Sequence, residues 1–304
     1  MNDLPQISCY GYALDSEIEL RFARHGPSPE PLRVVMRRGD EPVHDTPPLL
    51  EWPTPNGVAG KLYGGGQIYD FWADEVGWFR IAPLEHTIEV PPAPPLDVYR
   101  ELHLWGVPTM VTFTRLGDLS LHGAAFELDG NAVIVAAPGR HGKTTLALAL
   151  HRAGARLLTE DIARVRFTPD PVVFPGPAVL RMRADAMADL PDDIHVVEEA
   201  PARVMLAIDR SRRGDAEPVP LHAVVLLRIS EDDEVRLTRM SSTDALRDMW
   251  ALAFRIPDST DRTRAFEQLA DIVRTTPVYD LYRPLTYEAL PEVVEVVMGL
   301  CSKS

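Results

Sequence analysis

The stretch with the clearest chemistry is Ala132-Val133-Ile134-Val135-Ala136-Ala137-Pro138-Gly139-Arg140-His141-Gly142-Lys143-Thr144-Thr145-Leu146-Ala147. An apolar run passes into a glycine-containing loop, and Gly142-Lys143-Thr144 then opens a pattern suited to an amphipathic helix. That order suits a polyphosphate. Successive backbone N–H groups and the helix N-terminus face an anion, a lysine reaches the outer phosphates, and a threonine hydroxyl ligates Mg²⁺. The spacing is G-x-x-x-x-G-K-T with Ala137 in the first glycine position. The expected nucleotide contacts are Pro138, Gly139, Arg140, His141, Gly142, Lys143, Thr144 and Thr145, with ATP as the ligand.

About sixteen residues past Thr144 comes Leu157-Leu158-Thr159-Glu160-Asp161, an apolar run ending in two carboxylates. One carboxylate can hold Mg²⁺ while the other takes a proton from an attacking hydroxyl. Adjacent side chains on a strand point to opposite faces, so distinct roles are expected. His122 ends the run that precedes the Asp129-Gly130 turn, and the hairpin returns the chain towards the loop, where an imidazole can approach a γ-phosphate. Arg181, after the run 172–180, is a further candidate to face phosphate.

Those residues need a frame to hold them. Residues 1–95 read as a β-rich N-terminal domain of short runs such as Ile7–Leu14, Leu32–Met36, Ile68–Trp72 and Trp78–Ile81, cut by Gly, Pro and Asp. The run Pro91-Pro92-Ala93-Pro94-Pro95 closes it, and residues 96–304 form the second domain. That domain opens on helical apolar spacing from Leu96 to about Phe113, bent around Pro108. Strand–loop–helix alternation follows, with strands expected at 131–137, 156–159, 163–167, 203–208 and 221–229. Helices are expected at 143–152, 182–190, 242–254, 262–275 and 287–300. The fold class expected is α/β. Arg152, Arg156, Arg164 and Arg166 read as solvated faces, Arg210-Arg212-Arg213 as part of a surface loop, and the tryptophans as packing residues.

Composition sets outer limits. The chain has 304 residues, 45% of them hydrophobic and 25% charged, enough for two domains and a sizeable core. The net charge of −14 disfavours broad binding to a nucleic-acid backbone, so no nucleic-acid partner is expected. Cys9 and Cys301 alone cannot build a disulfide framework or a cysteine-rich metal module. The start of the chain lacks the basic and apolar runs of a signal peptide, and no apolar run reaches the roughly 18 residues of a membrane span. A cytoplasmic protein with no membrane partner is expected.

Leu121-His122-Gly123, Asp129-Gly130-Asn131-Ala132, the loop 137–145 and Gly154-Ala155-Arg156-Leu157-Leu158-Thr159-Glu160-Asp161 together resemble the HPr serine kinase/phosphorylase catalytic domain. They are more similar still to HPr-kinase-like proteins that include kinases of lasso-peptide gene clusters. Tyr10-Gly11-Tyr12-Ala13-Leu14-Asp15-Ser16, Gly77-Trp78-Phe79-Arg80-Ile81 and Pro277-Val278-Tyr279-Asp280-Leu281 extend the resemblance outward. It implies a P-loop kinase domain of HPr-kinase type. It further implies His122 near the transferred phosphate, Lys143 on the phosphates, Thr144 and Asp161 on the metal, and Glu160 as the catalytic base. Ala137 and Arg140 stand where the family has loop glycines, and Glu160 where it has aspartate. No second signature motif follows the acidic pair, so reverse phosphorylase activity is not expected.

The expected activity is a Mg-ATP-dependent kinase that phosphorylates a hydroxyl, on a Ser of a peptide or small protein. Alternatives are a kinase for a sugar or nucleoside hydroxyl, and a non-catalytic nucleotide-binding regulator. A homo-oligomer is open by analogy alone.

Overall fold

Short runs cut by turn residues build the front of the molecule as nine strands: β1 (Ile7–Cys9), β2 (Tyr12–Ser16), β3 (Arg24–His25), β4 (Glu30–Met36), β5 (Leu50–Thr54), β6 (Gly57–Gly65), β7 (Ile68–Ala73), β8 (Gly77–Ala82) and β9 (Thr87–Val90). They form one sheet in the order β3-β1-β2-β4-β9-β8-β7-β6-β5. The computed structural model describes all residues except 1–5, 56, 93–96, 138–140, 184–189, 201–202, 233 and 302–304.

The apolar spacing after the proline run makes two helices, α1 (Asp97–Leu104) and α2 (Val107–Leu116). Gly106 separates them, and Pro108 lies in the first turn of α2, where a missing N–H breaks no helical bond. Leu104, Trp105, Val111 and Phe113 pack with Leu32, Phe71, Phe79 and Ile81 of the front sheet in one apolar core.

The rest of the chain alternates strands and helices: β10 (Leu119–His122), β11 (Ala124–Leu128), β12 (Asn131–Ala136), α3 (Lys143–Arg152), β13 (Arg156–Thr159), β14 (Ile162–Phe167), β15 (Pro171–Phe174), β16 (Val179–Met182), β17 (Ile194–Ala200), β18 (Arg203–Ile208), β19 (Val219–Ile229), β20 (Arg236–Arg239), α4 (Ser242–Leu252), α5 (Ser259–Thr275), β21 (Val278–Arg283) and α6 (Leu290–Met298). The helix expected over 182–190 falls largely on residues outside the described set, and Met182 itself ends β16. A second sheet runs β10-β14-β15-β19-β12-β11-β13, with β21 on β19 and β20 on β21. A third, β16-β18-β17, lies beside it. The class is mixed α/β.

At the centre of the second sheet β12, β19 and β21 are parallel, paired through Ile134↔Val224 and Val224↔Val278. β12 and the centre of β19 are apolar on both faces, as a strand covered on both sides must be. Val133, Val135 and Val225 face α3 and α6, meeting Leu146, Leu150, Val293 and Val297. Ile134, Ala136, Val224 and Leu226 face α4 and α5, meeting Met249, Leu269 and Ile272.

Two arginines expected at the surface, Arg164 and Arg213, are buried instead, as is Arg24. Arg164 is fully buried, its guanidinium 2.5 Å from Asp118 and 3.1 Å from Glu30, with Arg166 on the same two carboxylates. Arg213, expected in a surface loop, is buried and donates to the carbonyls of Ile208, Arg21 and Ala23. Arg24 donates to the carbonyls of Leu157 and Leu158 at 2.7 and 2.8 Å. Each links the front sheet, or the segment leading into it, to the strands behind, where apolar periodicity carries no information about a buried cation.

Candidate functional site

Parallel strands deliver their C-terminal ends to one edge of a sheet, and loops there are where α/β proteins hold ligands. β12 ends at Ala136, the chain turns, and α3 begins at Lys143. Gly142 makes the turn with φ +69, a conformation that glycine adopts without penalty. A Cβ there would meet Arg283 Nη2 at 2.9 Å and Leu285 Cδ1 at 3.1 Å. His141, Gly142, Lys143, Thr144 and Thr145 are half-buried along this edge. Pro138, Gly139 and Arg140, expected as nucleotide contacts, lie outside the described residues.

β13 ends at Thr159, and the pair Glu160-Asp161 forms the two-residue passage to β14 beside the start of α3. Thr144 Oγ1 donates to Glu160 Oε1 at 2.9 Å. Lys143 Nζ lies 3.3 Å from Asp161 Oδ1 and 3.2 Å from His122 Nε2. His122 Nδ1 is in turn 3.4 Å from Asp161 Oδ1. Arg181 joins both acids, with Nε 3.1 Å from Glu160 Oε2 and Nη2 2.6 Å from Asp161 Oδ2. His122, Lys143, Thr144, Glu160, Asp161 and Arg181 thus meet in one cluster. The sequence expectation sets Asp161 beside Thr144. The contacts instead run from Thr144 to Glu160 and from Lys143 and His122 to Asp161, because the two neighbouring side chains leave the strand end in different directions.

The two lysine and arginine charges balance the two carboxylates, which distributes the protons. Burial pushes the Asp161 carboxyl up, but Arg181, Lys143 and His122 outweigh it and hold it well below the usual carboxylate range. Asp161, then Glu160, raise Arg181 further above its ordinary value. Burial lowers His122, and Lys143 and Arg181 add to that effect against the pull of Asp161. The ring is therefore neutral at pH 7, and its Nε2 accepts from Lys143 while Nδ1–H faces Asp161.

Two supporting residues escape motif reasoning. Tyr10, just past β1, donates its hydroxyl to the Ile162 carbonyl at 3.1 Å and lies 3.3 Å from Thr159 Oγ1, directly beneath the acidic pair. Arg283, at the end of β21, donates to the His141 carbonyl in the phosphate-loop candidate. It is 4% exposed, no carboxylate faces it among the described residues, and its Nε is buried without a partner. The only signal available in the sequence is a cation at the end of a central strand.

Among the described residues no group of three or more His, Cys, Asp or Glu side chains is arranged to hold a metal by itself. Thr144 and Glu160 offer hard oxygen donors side by side, which fits Mg²⁺ shared with substrate phosphates rather than caged by protein. No helix of the described residues is long and apolar enough to cross a membrane.

No protein-family model and no curated protein matches the chain. Among solved structures it is similar to that of the Hpr(Ser) kinase/phosphatase from Coxiella burnetii, at a probability of 1.00, with 11% identity and a TM-score of 0.33 over 59% of this chain and 94% of that one.

Proposed function

We propose that the chain is a Mg-ATP-dependent phosphotransferase whose P-loop is the segment 137–145 and whose acceptor is a hydroxyl. The observation that carries this reading is the direct contact of Lys143 and Thr144, the first residues of α3, with the consecutive acids Asp161 and Glu160. A lysine and a hydroxyl at a helix start facing two carboxylates suit phosphoryl transfer and little else.

In this reading the first amides of α3 and Lys143 bind the β- and γ-phosphates. Thr144 and Glu160 hold Mg²⁺, which supplies charge neutralisation on the phosphates when bound. Asp161 accepts the hydrogen bond of the acceptor hydroxyl and orients its oxygen, while His122 and Arg181 fix Asp161 in place. The roles of Glu160 and Asp161 are thereby exchanged relative to the sequence expectation. The hydrogen bond from Thr144 to Glu160 and the exposure of Asp161 towards a neighbouring cavity support the exchange.

Calorimetry with Mg-ATP tests the binding half. Lys143→Ala is expected to weaken affinity at least tenfold. Equal affinity of Lys143→Ala and wild type overturns the proposal. Asp161→Asn should keep ATP affinity and lose transfer, whereas Glu160→Gln should lose the Mg²⁺ dependence of binding. Tight Mg-ATP binding with no transfer to any alcohol favours the regulatory alternative.

A further inference from the structure

The acidic cluster has a second side. A cavity of about 530 Å³, not lined by Thr144, opens onto His122, Asp161 and Arg181 and is the size of a site for one small ligand. Two of these residues, His122 and Asp161, also contact Lys143, so a group bound in the cavity meets the side chains that touch the phosphate lysine. Phosphoryl transfer needs the acceptor within reach of the cluster that faces the phosphates.

Its walls have a different chemistry. Trp52 of β5, Phe71 of β7, Tyr99 of α1, Met110 of α2, Met205 of β18 and Phe254 beyond α4 surround the space from the front sheet, the helix pair and the rear strands. Besides the cluster itself, two polar side chains stand in that wall, His103 and Arg203, and Arg203 Nη1 donates to the Arg181 carbonyl at 3.3 Å. His103 holds its Nδ1 2.8 Å from the Tyr99 carbonyl, which fixes the proton on Nδ1 and leaves Nε2 as an acceptor. A peptide segment or a sugar placed here would bring several N–H, C=O or hydroxyl groups against aromatic and thioether surfaces that cannot bond them. An alcohol with an apolar body matches most of the wall: its hydroxyl reaches Asp161, and its body is covered by the aromatic side chains.

We infer that the acceptor is a small alcohol with an aromatic or similarly sized apolar body, bound in this cavity with its hydroxyl at Asp161 and His122. The inference rests on the kinase reading above and names the substrate class of that same site. The alcohol oxygen forms a bond to the γ-phosphorus as the bond from that phosphorus to its bridging oxygen breaks. The electron pair leaves with ADP, and the alcohol proton passes to Asp161 and then to water. Met110 and Met205 suit a pocket that adapts to more than one such body, since thioether chains repack easily.

The test uses Mg-ATP with 3-(4-fluorophenyl)-1-propanol, glucose or a serine-containing hexapeptide, read by ADP release and by ³¹P signals of a phosphate ester. Fluorine NMR follows binding of the phenylpropanol independently of turnover. Wild type is expected to bind the phenylpropanol and to release ADP at least tenfold faster with it than with water alone. Met110→Trp, which fills the cavity, should remove both effects at least tenfold while calorimetric Mg-ATP affinity stays within twofold, and Met110→Leu should behave as wild type. Transfer to glucose or the peptide with no response to the phenylpropanol overturns the inference and leaves the kinase reading standing, as does Mg-ATP binding with no phenylpropanol binding. Absence of Mg-ATP binding to the wild type overturns the kinase reading instead.

Discussion

Glu160 and Asp161 are chain neighbours that share Arg181 but otherwise differ in their partners, and the difference sets the protonation of the site. Asp161 sees Arg181, Lys143 and His122, so it stays ionised at any pH near neutrality. It is also the stronger of the two groups, with Glu160, that raise the pKa of His122 against the lowering by burial, Lys143 and Arg181. The sign of two changes follows. In wild type, His122 should titrate below the ordinary histidine value of about 6.5. Asp161→Asn removes the stronger raising charge and should move it lower still, whereas Lys143→Met removes a lowering charge and should move it up. NMR titration of the His122 ring reads both, and a shift in the same direction for the two variants would refute the assignment. The residue types of this cluster were all legible in the sequence, since Lys143, Thr144, Glu160 and Asp161 sit at telling distances from a strand–loop–helix pattern. Which acid serves which partner was not, because side-chain direction at a strand end depends on the crossover that follows it.

The phosphate-loop candidate is held from behind by a strand far away in sequence. β12, β19 and β21 are parallel, so the end of β21 reaches the turn before α3 and brings Arg283 to the His141 carbonyl. Gly142 is squeezed between that guanidinium and the left-handed backbone it must adopt. Gly142→Ala should therefore cost about 1–2 kcal/mol from the backbone conformation alone. It should also displace Arg283 or Leu285 and weaken Mg-ATP binding by more than the stability loss explains. Urea unfolding and calorimetry on the same variant separate the two effects, and unchanged ATP affinity would mean that the turn does not set the phosphate contacts. Elements of this kind were readable in part. The strand 131–137 and the helix 143–152 follow from an apolar run and an amphipathic pattern opened by Gly142-Lys143-Thr144. The link from β21 was hidden, since nothing local in a sequence states which strands become neighbours. Likewise the break at Gly106 divides one periodic apolar stretch into two helices by geometry that periodicity does not register.

Charge is used inside the molecule as well as on its surface. Although the chain carries −14 overall, Arg24, Arg164 and Arg213 are buried, and they bridge the front sheet and its leading strands to the strands that carry the site. Arg164 is the most enclosed of them, sandwiched over the rings of Tyr12, Phe113 and Phe174 while it pairs with Asp118 and Glu30. Removing Arg164 leaves the two carboxylates Asp118 and Glu30 to the single guanidinium of Arg166, which costs about 3–5 kcal/mol. Burial pushes Glu30 up, yet Arg166 and Arg164 outweigh it and hold Glu30 below its ordinary value. Its share of stability is accordingly present at neutral pH and is lost as pH falls below about 4.3. Three of the five tryptophans, Trp52, Trp72 and Trp78, lie in the front sheet, whereas α3 to α6 supply most of the helix signal from behind it. If the buried arginines join the two parts into one cooperative unit, tryptophan fluorescence and far-ultraviolet dichroism should give coincident urea transitions in the wild type. Arg164→Ala should lower the stability by the stated amount, and acidification below about 4.3 should shrink the gap between variant and wild type. Separate transitions for the two probes in the wild type would show that the front sheet unfolds independently. The cavity between it and the site would then be assembled by a weaker contact than these arginines imply.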